Sequence, residues 1–288
     1  MERIVYVNGE YVAESDAKIS IFDRGFLFSD AVYEVMAVLD GQLLEVEGHL
    51  ARLKHSSEAL FLSLPVTPDE LIGIHKELIK RNDMHQGAIY LQLSRGSEGD
   101  RVFGIHEGLS PTLVLFTQER EVVKSKQAET GISVISVPDI RWKMRDIKTT
   151  GLLAACLAKK QAYAAGADDV FWVEDGHITE GGSSNAYIVT KEGKIITKPL
   201  GQDILPGITR SSLLKCMDIM DVELEERPFT LEEAYDAAEA FISSATSFVW
   251  PVVSIDGKAV GDGKVGPIAT KLREVYLAES YKYIEQNK

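Results

Sequence analysis

The sequence is short of cysteine, of basic residues and of long apolar runs, and each shortage excludes a class of protein. Two cysteines, Cys156 and Cys216, are too few for a disulfide framework, so we expect buried thiols in a reducing compartment. The sequence contains 31 Lys and Arg residues and 44 Asp and Glu residues, which gives a net charge of −13. That balance disfavours nucleic acid as a partner, because phosphate neutralisation needs clustered cations. No apolar run reaches membrane-spanning length and no signal peptide is recognised, so we predict a cytoplasmic protein without membrane contact.

The chain also lacks a linker rich in Pro, Gly or Ser, so its domains have to be inferred from local patterns. Hydrophobic residues make up 45% of the 288 residues, enough for one large or two modest domains. Many hairpin turns with helices interspersed favour two α+β domains, each a sheet with flanking helices, over a doubly wound parallel sheet. We predict a smaller N-terminal domain at 1–118, an interdomain loop at 119–130 and a larger C-terminal domain at 131–288. Helical spacing and caps predict helices at Glu47–Leu62, Thr67–Arg81, Gly151–Ala165, Thr209–Met220 and Gly266–Gln286.

Lys148 lies at the end of a β-like run, directly before a helix rich in small residues. A lysine there can be desolvated and held rigidly, which lowers the pKa of its amine and favours Schiff-base chemistry. Glu180 opens a Gly/Ser loop, where its carboxylate could meet a ring nitrogen. Lysine plus carboxylate is the pairing that pyridoxal phosphate needs. The alternatives stay open at this point: a surface lysine, although a helix start repels a cation, and an exposed acid at a hairpin end.

Two further segments have the composition of a phosphate site. Gly207-Ile208-Thr209 begins a helix, whose free N–H groups and dipole favour a dianion, and Ser244-Ala245-Thr246 follows a strand. Taken singly, each is equally an ordinary helix entry or loop. Arg52 lies near the apolar face of its helix, where either a phosphate or a structural carboxylate would pair with it. Tyr33 is on an alternating strand, and its hydroxyl either reaches a cleft or caps the core.

Five motifs in one order resemble the class IV (fold type IV) pyridoxal-phosphate aminotransferases, most closely the D-amino-acid transaminase branch. They are D-R-G-F-L-F-S-D-A-V-Y-E-V, H-L-A-R-L, D-I-K-T-T-G-L-L-A-A-C-L-A-K, T-E-G-G-S-S-N and L-P-G-I-T-R. The resemblance covers almost the whole chain. It implies a two-domain α+β fold whose C-terminal domain binds the cofactor, and a homodimer with the site near the domain and subunit interface. No metal site is expected.

The resemblance also implies a role for each matching residue. Lys148 corresponds to the lysine that binds the cofactor covalently and then moves a proton at the substrate α-carbon. Glu180 corresponds to the acid that keeps the pyridine nitrogen protonated, and Tyr33 to an active-site tyrosine near the substrate. Arg141 and Trp142 match an R-W pair with supporting roles. The positions that match phosphate-binding residues are Arg52, Ile208, Thr209, Ser244 and Ala245.

One departure from the D-amino-acid branch concerns the substrate carboxylate. That branch commonly has R-G-x-x-x-R-x-H, whose second Arg and His trap the carboxylate, whereas Asp100 and Val102 stand at those two positions here. Arg101 is adjacent and either replaces the trap after a loop shift or is a solvated loop residue. The resemblance as a whole implies ping-pong transfer from a D-amino acid, and possibly an (R)-amine, to a 2-oxo acid. The alternatives are a branched-chain L-amino-acid transaminase, an aminodeoxychorismate-type lyase and a non-enzymatic cofactor carrier.

Overall fold

The computed structural model describes residues 2–286, and these divide into two compact units. The first unit runs to Glu121 and also includes Ile147–Gly151, and the second comprises Val122–Asp146 and the chain from Leu152 onward. The change of unit after Glu121 falls inside the predicted loop at 119–130.

The structure differs from the predicted boundaries in two places. The segment Ile147–Gly151 belongs to the first unit, although the sequence placed it in the C-terminal domain. Its backbone hydrogen-bonds to a strand of the first unit, with Thr150 N–H donating to Ala31 O at 3.1 Å. The predicted loop also contains a short helix, Lys126–Thr130, which is capped by the Ser125 side chain.

Within residues 2–286, the first unit contains a six-stranded antiparallel sheet in the order β2-β1-β6-β5-β3-β4. The turns Asn8-Gly9 and Asp40-Gly41 have positive φ at both residues, which confirms the predicted hairpins. The strands are β1 (Ile4–Val7), β2 (Glu10–Ala13), β3 (Ala31–Leu39), β4 (Gln42–Leu43), β5 (Gly87–Ser94) and β6 (Thr112–Glu119).

The first unit's helices pack against this sheet. They are α1 (Arg24–Phe28), α2 (Val46–Ala59) and α3 (Pro68–Arg81), with a 3-10 turn at Glu14–Asp16. Thr67 caps α3 through a reciprocal capping box with Glu70, as the sequence indicates. Leu53, Leu71 and Leu78 are fully buried in the core between these helices and the sheet.

The second unit contains, in the described part of the chain, a nine-stranded mixed sheet in the order β12-β11-β10-β13-β14-β7-β8-β9, with β15 paired to β14. Its strands are β7 (Ile132–Pro138), β8 (Asp169–Glu174), β9 (His177–Gly181), β10 (Asn185–Val189), β11 (Ile195–Thr197), β12 (Leu224–Glu226), β13 (Glu239–Ser244), β14 (Phe248–Ile255) and β15 (Lys258–Ala259). Its helices are α4 (Lys126–Thr130), α5 (Leu153–Ala164), α6 (Ile208–Ile219), α7 (Leu231–Asp236) and α8 (Pro267–Gln286). The predicted α+β architecture, each domain a sheet with flanking helices, is confirmed.

Two details of the second unit correct the sequence reading. Helix α5 begins at Leu153, so Lys148 is not at a helix start. Cys156 is exposed on α5, whereas Cys216 is buried as expected, and neither forms a disulfide within residues 2–286. Of the helices in residues 2–286, none has the length and apolar character needed to cross a bilayer.

Candidate functional site

Lys148 is fixed in the first unit by both of its backbone polar groups. Its N–H donates to the Ser56 hydroxyl at 3.1 Å, and its carbonyl accepts from Tyr33 N–H at 3.0 Å. The neighbouring Thr149 forms an isolated bridge with Val32 of β3. The half-buried side chain carries its amine over the Tyr33 ring, 4.2 Å from the centroid. The rigid placement predicted for this lysine therefore comes from β3 and from Ser56 of α2, and not from a following helix.

Tyr33 begins a row of aromatic rings on one face of the first sheet. Its ring stacks on that of Tyr90 at 5.5 Å, and Tyr90 stacks on Phe116 at 4.8 Å. The Tyr90 hydroxyl donates to Gln92 Oε1 at 2.8 Å, and burial raises its pKa, so this phenol stays protonated. The structure thus places Tyr33 and Lys148 together on an aromatic surface, where flat apolar groups pack well.

Arg52 is paired with a carboxylate that the sequence analysis did not single out. Its Nε and one terminal nitrogen donate to the two oxygens of Glu34 at 2.8 and 2.7 Å, and His49 Nδ1 lies 2.7 Å from Glu34 Oε2. Burial alone would raise the pKa of Glu34, but the Arg52 charge and the hydrogen bonds from Arg52 and His49 lower it to about 2. The structural carboxylate left open by the sequence is therefore present, and a phosphate role for Arg52 stays a prediction.

Glu180, in the second unit, is a buried carboxylate held at both oxygens. Its Oε1 accepts from Leu205 N–H at 2.8 Å and Asn185 Nδ2 at 3.2 Å, and its Oε2 accepts from Arg141 at 2.6 Å. Only 4% of the residue is exposed, which excludes the alternative of a solvated hairpin acid. Burial raises the pKa of Glu180, and the charge and hydrogen bond of Arg141 oppose that rise.

Arg141 is itself oriented by further groups of the second unit. Asp139 accepts from its Nε at 3.0 Å and from a terminal nitrogen at 2.7 Å, and its guanidinium lies 5.1 Å from the Trp172 ring. Thr179 donates to the same Asp139 carboxylate at 2.7 Å. The supporting role expected for Arg141 has a physical basis here, because its charge lies directly on Glu180. Trp142 differs: 43% of it is exposed.

The N-terminus of α6 has the features of an anion site. Gly207 precedes the helix without a side-chain cap, so the first N–H groups have no intrahelical acceptor. Thr209 is 2% exposed, and its Oγ1 has no hydrogen-bond partner among the described residues. A β-carbon at Gly207 would lie 2.0 Å from Asn185 Oδ1, so only glycine allows this close approach. Ile208 and Thr209 thus offer backbone donors and a buried hydroxyl.

Ser244 is the last residue of β13, and Ala245 follows it in a short turn before β14. The register pairs Asn185 with Ser243, so the turn lies at the end of the sheet where Asn185 contacts Gly207. The Ser244 hydroxyl lies 2.7 Å from the Ser247 hydroxyl and accepts from Ser247 N–H at 3.2 Å. The two predicted phosphate segments of the second unit are therefore brought to one end of its sheet.

Comparison with known proteins decides the family. A family model described as amino-transferase class IV matches residues 31–255. The chain belongs to the class IV aminotransferases. A D-alanine aminotransferase of Staphylococcus haemolyticus is 38% identical, over 98% of each chain. One of Bacillus licheniformis is 36% identical, over 97% of this chain and 99% of the relative.

Solved structures show that this class IV aminotransferase shares the fold of the branched-chain enzymes. The Escherichia coli branched-chain amino acid aminotransferase superposes with a TM-score of 0.89 at 23% identity, covering 97% of this chain and 95% of that one. A branched-chain amino acid aminotransferase of T.th., solved with pyridoxamine 5'-phosphate, gives a TM-score of 0.88 at 26% identity, covering 96% and 93%. The fold type IV architecture implied by the motifs is confirmed.

Arg101 lies in the loop of the first unit that departs from the D-amino-acid branch. It is exposed, with its guanidinium 4.7 Å from the Phe103 ring and 5.3 Å from the Phe28 ring. Arg24, buried below the loop, donates to the carbonyls of Val102 and Gly104 at 2.6 and 3.0 Å. The loop is therefore held from beneath, and a role for Arg101 in binding substrate stays a prediction.

Sequence reasoning did not single out two residues that contact predicted site residues. Asn185 connects Glu180 to Gly207, and Glu34 holds Arg52. Asn185 closes the T-E-G-G-S-S-N run, and a polar residue at the start of an otherwise apolar strand was the available signal. Glu34 sits between apolar residues of a buried strand, which is equally unusual. Gly207 was part of a predicted phosphate segment, but its close approach to Asn185 exists only in the fold.

Proposed function

We propose that this chain transfers an amino group from a D-amino acid to a 2-oxo acid, with pyridoxal 5'-phosphate as cofactor. The buried Glu180 carboxylate, oriented by Arg141, Asn185 and Leu205 N–H, is the observation that carries the proposal. Each carboxylate oxygen can accept more than one hydrogen bond, so Glu180, already paired with Arg141, can also accept from a protonated ring nitrogen. The D-alanine aminotransferase relatives, similar over the full length, support the substrate class.

The residues of the second unit fit the phosphate end of this cofactor. The buried Thr209 Oγ1 without a partner and the uncapped first turn of α6 are donors to an anion. Gly207 lets the helix start approach Asn185, and the Ser244-Ala245 turn lies at the same end of the sheet. Ile208, Thr209, Ser244 and Ala245 would hold the phosphate, and a phosphate role for Arg52 stays a prediction.

Glu180 would hold a proton on the ring nitrogen. Pyridoxal phosphate, when bound, supplies an electron-accepting ring that stabilises negative charge at the substrate α-carbon. The Arg141 guanidinium at 2.6 Å favours the ionised form of Glu180, against the effect of burial. Burial still raises the pKa of Glu180, so a cationic ring nitrogen would add to Arg141 in favouring the ionised carboxylate.

Lys148 would bind the cofactor aldehyde and then move the proton at the substrate α-carbon. Its backbone is fixed on both sides by β3 and Ser56, so its amine has a defined origin from which to reach a substrate. General base catalysis requires this fixed geometry before it requires a matched pKa. Tyr33, whose ring the amine contacts, would orient it, and Arg101 would bind the substrate carboxylate.

We also propose a homodimer. Two stretches of the second unit expose large apolar side chains that a monomer would leave in water: Ile140, Trp142 and Met144 before the lysine segment, and Leu152, Leu153 and Leu157 at the start of α5. Light scattering on the eluting protein should give about twice the 31.8 kDa chain mass. A single-chain mass would contradict the dimer. Location in the cytoplasm stays a prediction from the free thiols.

Borohydride trapping tests the cofactor and the lysine together. Borohydride reduces the bond between cofactor and lysine, so the cofactor itself becomes a permanent label. After digestion, this label should be found on the peptide that contains Lys148. A label elsewhere, or none, would overturn the proposal. Lys143→Ala is the matched control, because Lys143 is exposed and pairs with Glu174. That variant should label as the wild type does.

Half-reactions test the substrate class. D-Alanine should abolish the visible absorption band of the holoenzyme in a single turnover, and a 2-oxo acid should restore that band. Discharge by L-leucine alone would select a branched-chain L-amino-acid transaminase instead. Discharge by (R)-1-phenylethylamine in addition to D-alanine would widen the donor range. Pyruvate release from aminodeoxychorismate without amino transfer would select a lyase.

A further inference from the structure

Arg273, on the closing helix α8, is a buried guanidinium bound by carbonyl oxygens. One terminal nitrogen donates to the carbonyls of Ser247 and Val249 at 2.6 and 3.0 Å. The other donates to the carbonyls of Val122 and Val123 at 2.6 and 3.0 Å. Only 8% of the residue is exposed. In residues 2–286, no carboxylate forms an ion pair with Arg273, so its charge is compensated by peptide carbonyls and the nearby Phe248 ring.

Such a site costs free energy, because a guanidinium loses its hydration without gaining an opposite charge. Burial lowers the pKa of Arg273 to about 10, which reflects this desolvation. A methionine or leucine would fill the same space without that cost. The four carbonyls must therefore need the donors, and two of them, those of Ser247 and Val249, flank a residue with a constrained backbone.

The constrained residue is Phe248, the first residue of β14. It lies between Ser247 and Val249, whose carbonyls accept hydrogen bonds from Arg273. Phe248 has a φ of 55°, in the left-handed region that bulky residues rarely occupy. Its side chain is fully buried, tilted against the Tyr276 ring at 5.1 Å and lying 5.6 Å from the Arg273 guanidinium. A conformation of this kind persists only where the surroundings hold it, and here α8 does so with hydrogen bonds and ring contacts.

The turn held in this way is the one that contains Ser244 and Ala245. Ser244 pairs with Phe248 across the turn, and its hydroxyl bonds to Ser247, whose carbonyl Arg273 binds. Moving Ser247 or Phe248 would therefore move Ser244. Both terminal nitrogens of Arg273 are occupied by main-chain carbonyls, so it can act on a ligand of Ser244 only through the turn.

We propose that Arg273 is a positioning residue for the phosphate end of the cofactor, fixing the turn from Ser244 to Phe248 so that Ser244 and Ala245 donate to the phosphate. The inference rests on the proposed function, and it adds a residue outside every motif that carries the family resemblance. It predicts that loss of Arg273 weakens recognition of the phosphate specifically, and not of the pyridine ring or the aldehyde.

The test compares two ligands that differ only in the phosphate. Dissociation constants of the full-length apoprotein are measured for pyridoxal 5'-phosphate and for pyridoxal, in wild type, Arg273→Met and Arg273→Lys. Arg273→Met should raise the dissociation constant of pyridoxal phosphate by about tenfold or more, the loss expected for a charge-assisted hydrogen bond network. The dissociation constant of pyridoxal should change by less than about twofold, because pyridoxal has no phosphate for the turn to bind. Arg273→Lys, which keeps a cation with three donors, should show a smaller loss in the same direction.

Arg227→Met is the matched control, because Arg227 is in the same unit but pairs with Glu225 and Glu233 at the surface. It should leave both constants unchanged. Equal weakening of both ligands by Arg273→Met would overturn the inference and leave Arg273 a merely structural tie between α8 and Val122. If Arg273→Met does not fold, a wild-type ratio of the two constants in Arg273→Lys overturns it equally. Failure of wild type to bind either aldehyde would instead overturn the proposed function.

Discussion

The amine of Lys148 lies on the face of the Tyr33 ring, 4.2 Å from its centroid, while the backbone carbonyl of the same lysine accepts a hydrogen bond from Tyr33 N–H. One residue of β3 therefore holds both ends of the lysine. The ring attracts the charged amine, and the backbone bond fixes the point from which the side chain extends.

Tyr33→Leu should lower kcat/KM for D-alanine more than Tyr33→Phe does. Leucine removes the aromatic face under the amine, a contact whose loss corresponds to about tenfold. Phenylalanine keeps the face and isolates the contribution of the hydroxyl. The measurement is steady-state transamination with a 2-oxo acid. Equal rates for the two variants would show that the ring contact does not matter.

Glu180→Gln should slow removal of the substrate α-proton by about 100-fold, the lower range for loss of a proton-holding group. Glutamine is nearly isosteric but carries no charge to stabilise a protonated ring. Single-turnover mixing with α-deuterated D-alanine, which makes that step visible, is the measurement. Glu223→Gln is the control, since Glu223 is a surface partner of Lys194. An unchanged isotope-sensitive rate in Glu180→Gln would contradict the assigned role.

Gly207→Ala should lower the affinity for pyridoxal phosphate without unfolding the protein. Gly207 has a φ of −64°, so alanine brings no backbone strain, but its β-carbon would lie 2.0 Å from Asn185 Oδ1. Asn185 would then shift, and Glu180 would lose a donor. We expect an affinity loss of about tenfold, the cost of one buried hydrogen bond. Gly73→Ala is the control, with open space around its β-carbon, and full affinity in Gly207→Ala would argue against the close contact.

Glu34→Gln should destabilise the protein by about 3 kcal/mol at neutral pH, because it leaves the Arg52 charge buried without its partner. The folded-state pKa of about 2 lies below the usual 4.5, so this stabilisation is fully present above pH 4.5 and is lost as pH falls toward 2. Urea unfolding across that range measures it. Glu58→Gln, at an exposed pair with Lys54, should change little. A Glu34→Gln curve parallel to wild type between pH 4.5 and 2 would contradict the ion pair.

His75 should make the free energy of unfolding depend on pH in a higher range than Glu34 does. Burial lowers the pKa of His75 from 6.5 to about 4, so the folded protein keeps it neutral while the unfolded chain takes up a proton. Its contribution is present above pH 6.5 and is lost as pH falls toward 4. His75→Gln should flatten the unfolding free energy between pH 6.5 and 4. The exposed His85→Gln is the control; identical slopes in the two variants would mean that His75 does not titrate as described.

Local patterns in the sequence were sufficient for the α+β architecture and for much of the site. The turns Asn8-Gly9 and Asp40-Gly41 require positive φ, and Thr67 with Glu70 forms the cap that the spacing indicates. Such features depend on residues close in the chain, so tertiary contacts rarely override them. The expectations that failed concerned longer-range placement: Ile147–Gly151 joins the first unit, and Cys156 faces solvent.

The ordered motifs alone indicated which chemistry this chain can perform, because they contain a lysine and an acid of the types that pyridoxal phosphate needs. Only the tertiary structure decided what those groups contact. The bond between Arg52 and Glu34, the approach of Gly207 to Asn185 and the hold of Arg273 on the Ser247 carbonyl each join residues distant in sequence or in separate elements. Their energies depend on burial and on distances of a few ångströms, and neither quantity exists until the chain has folded.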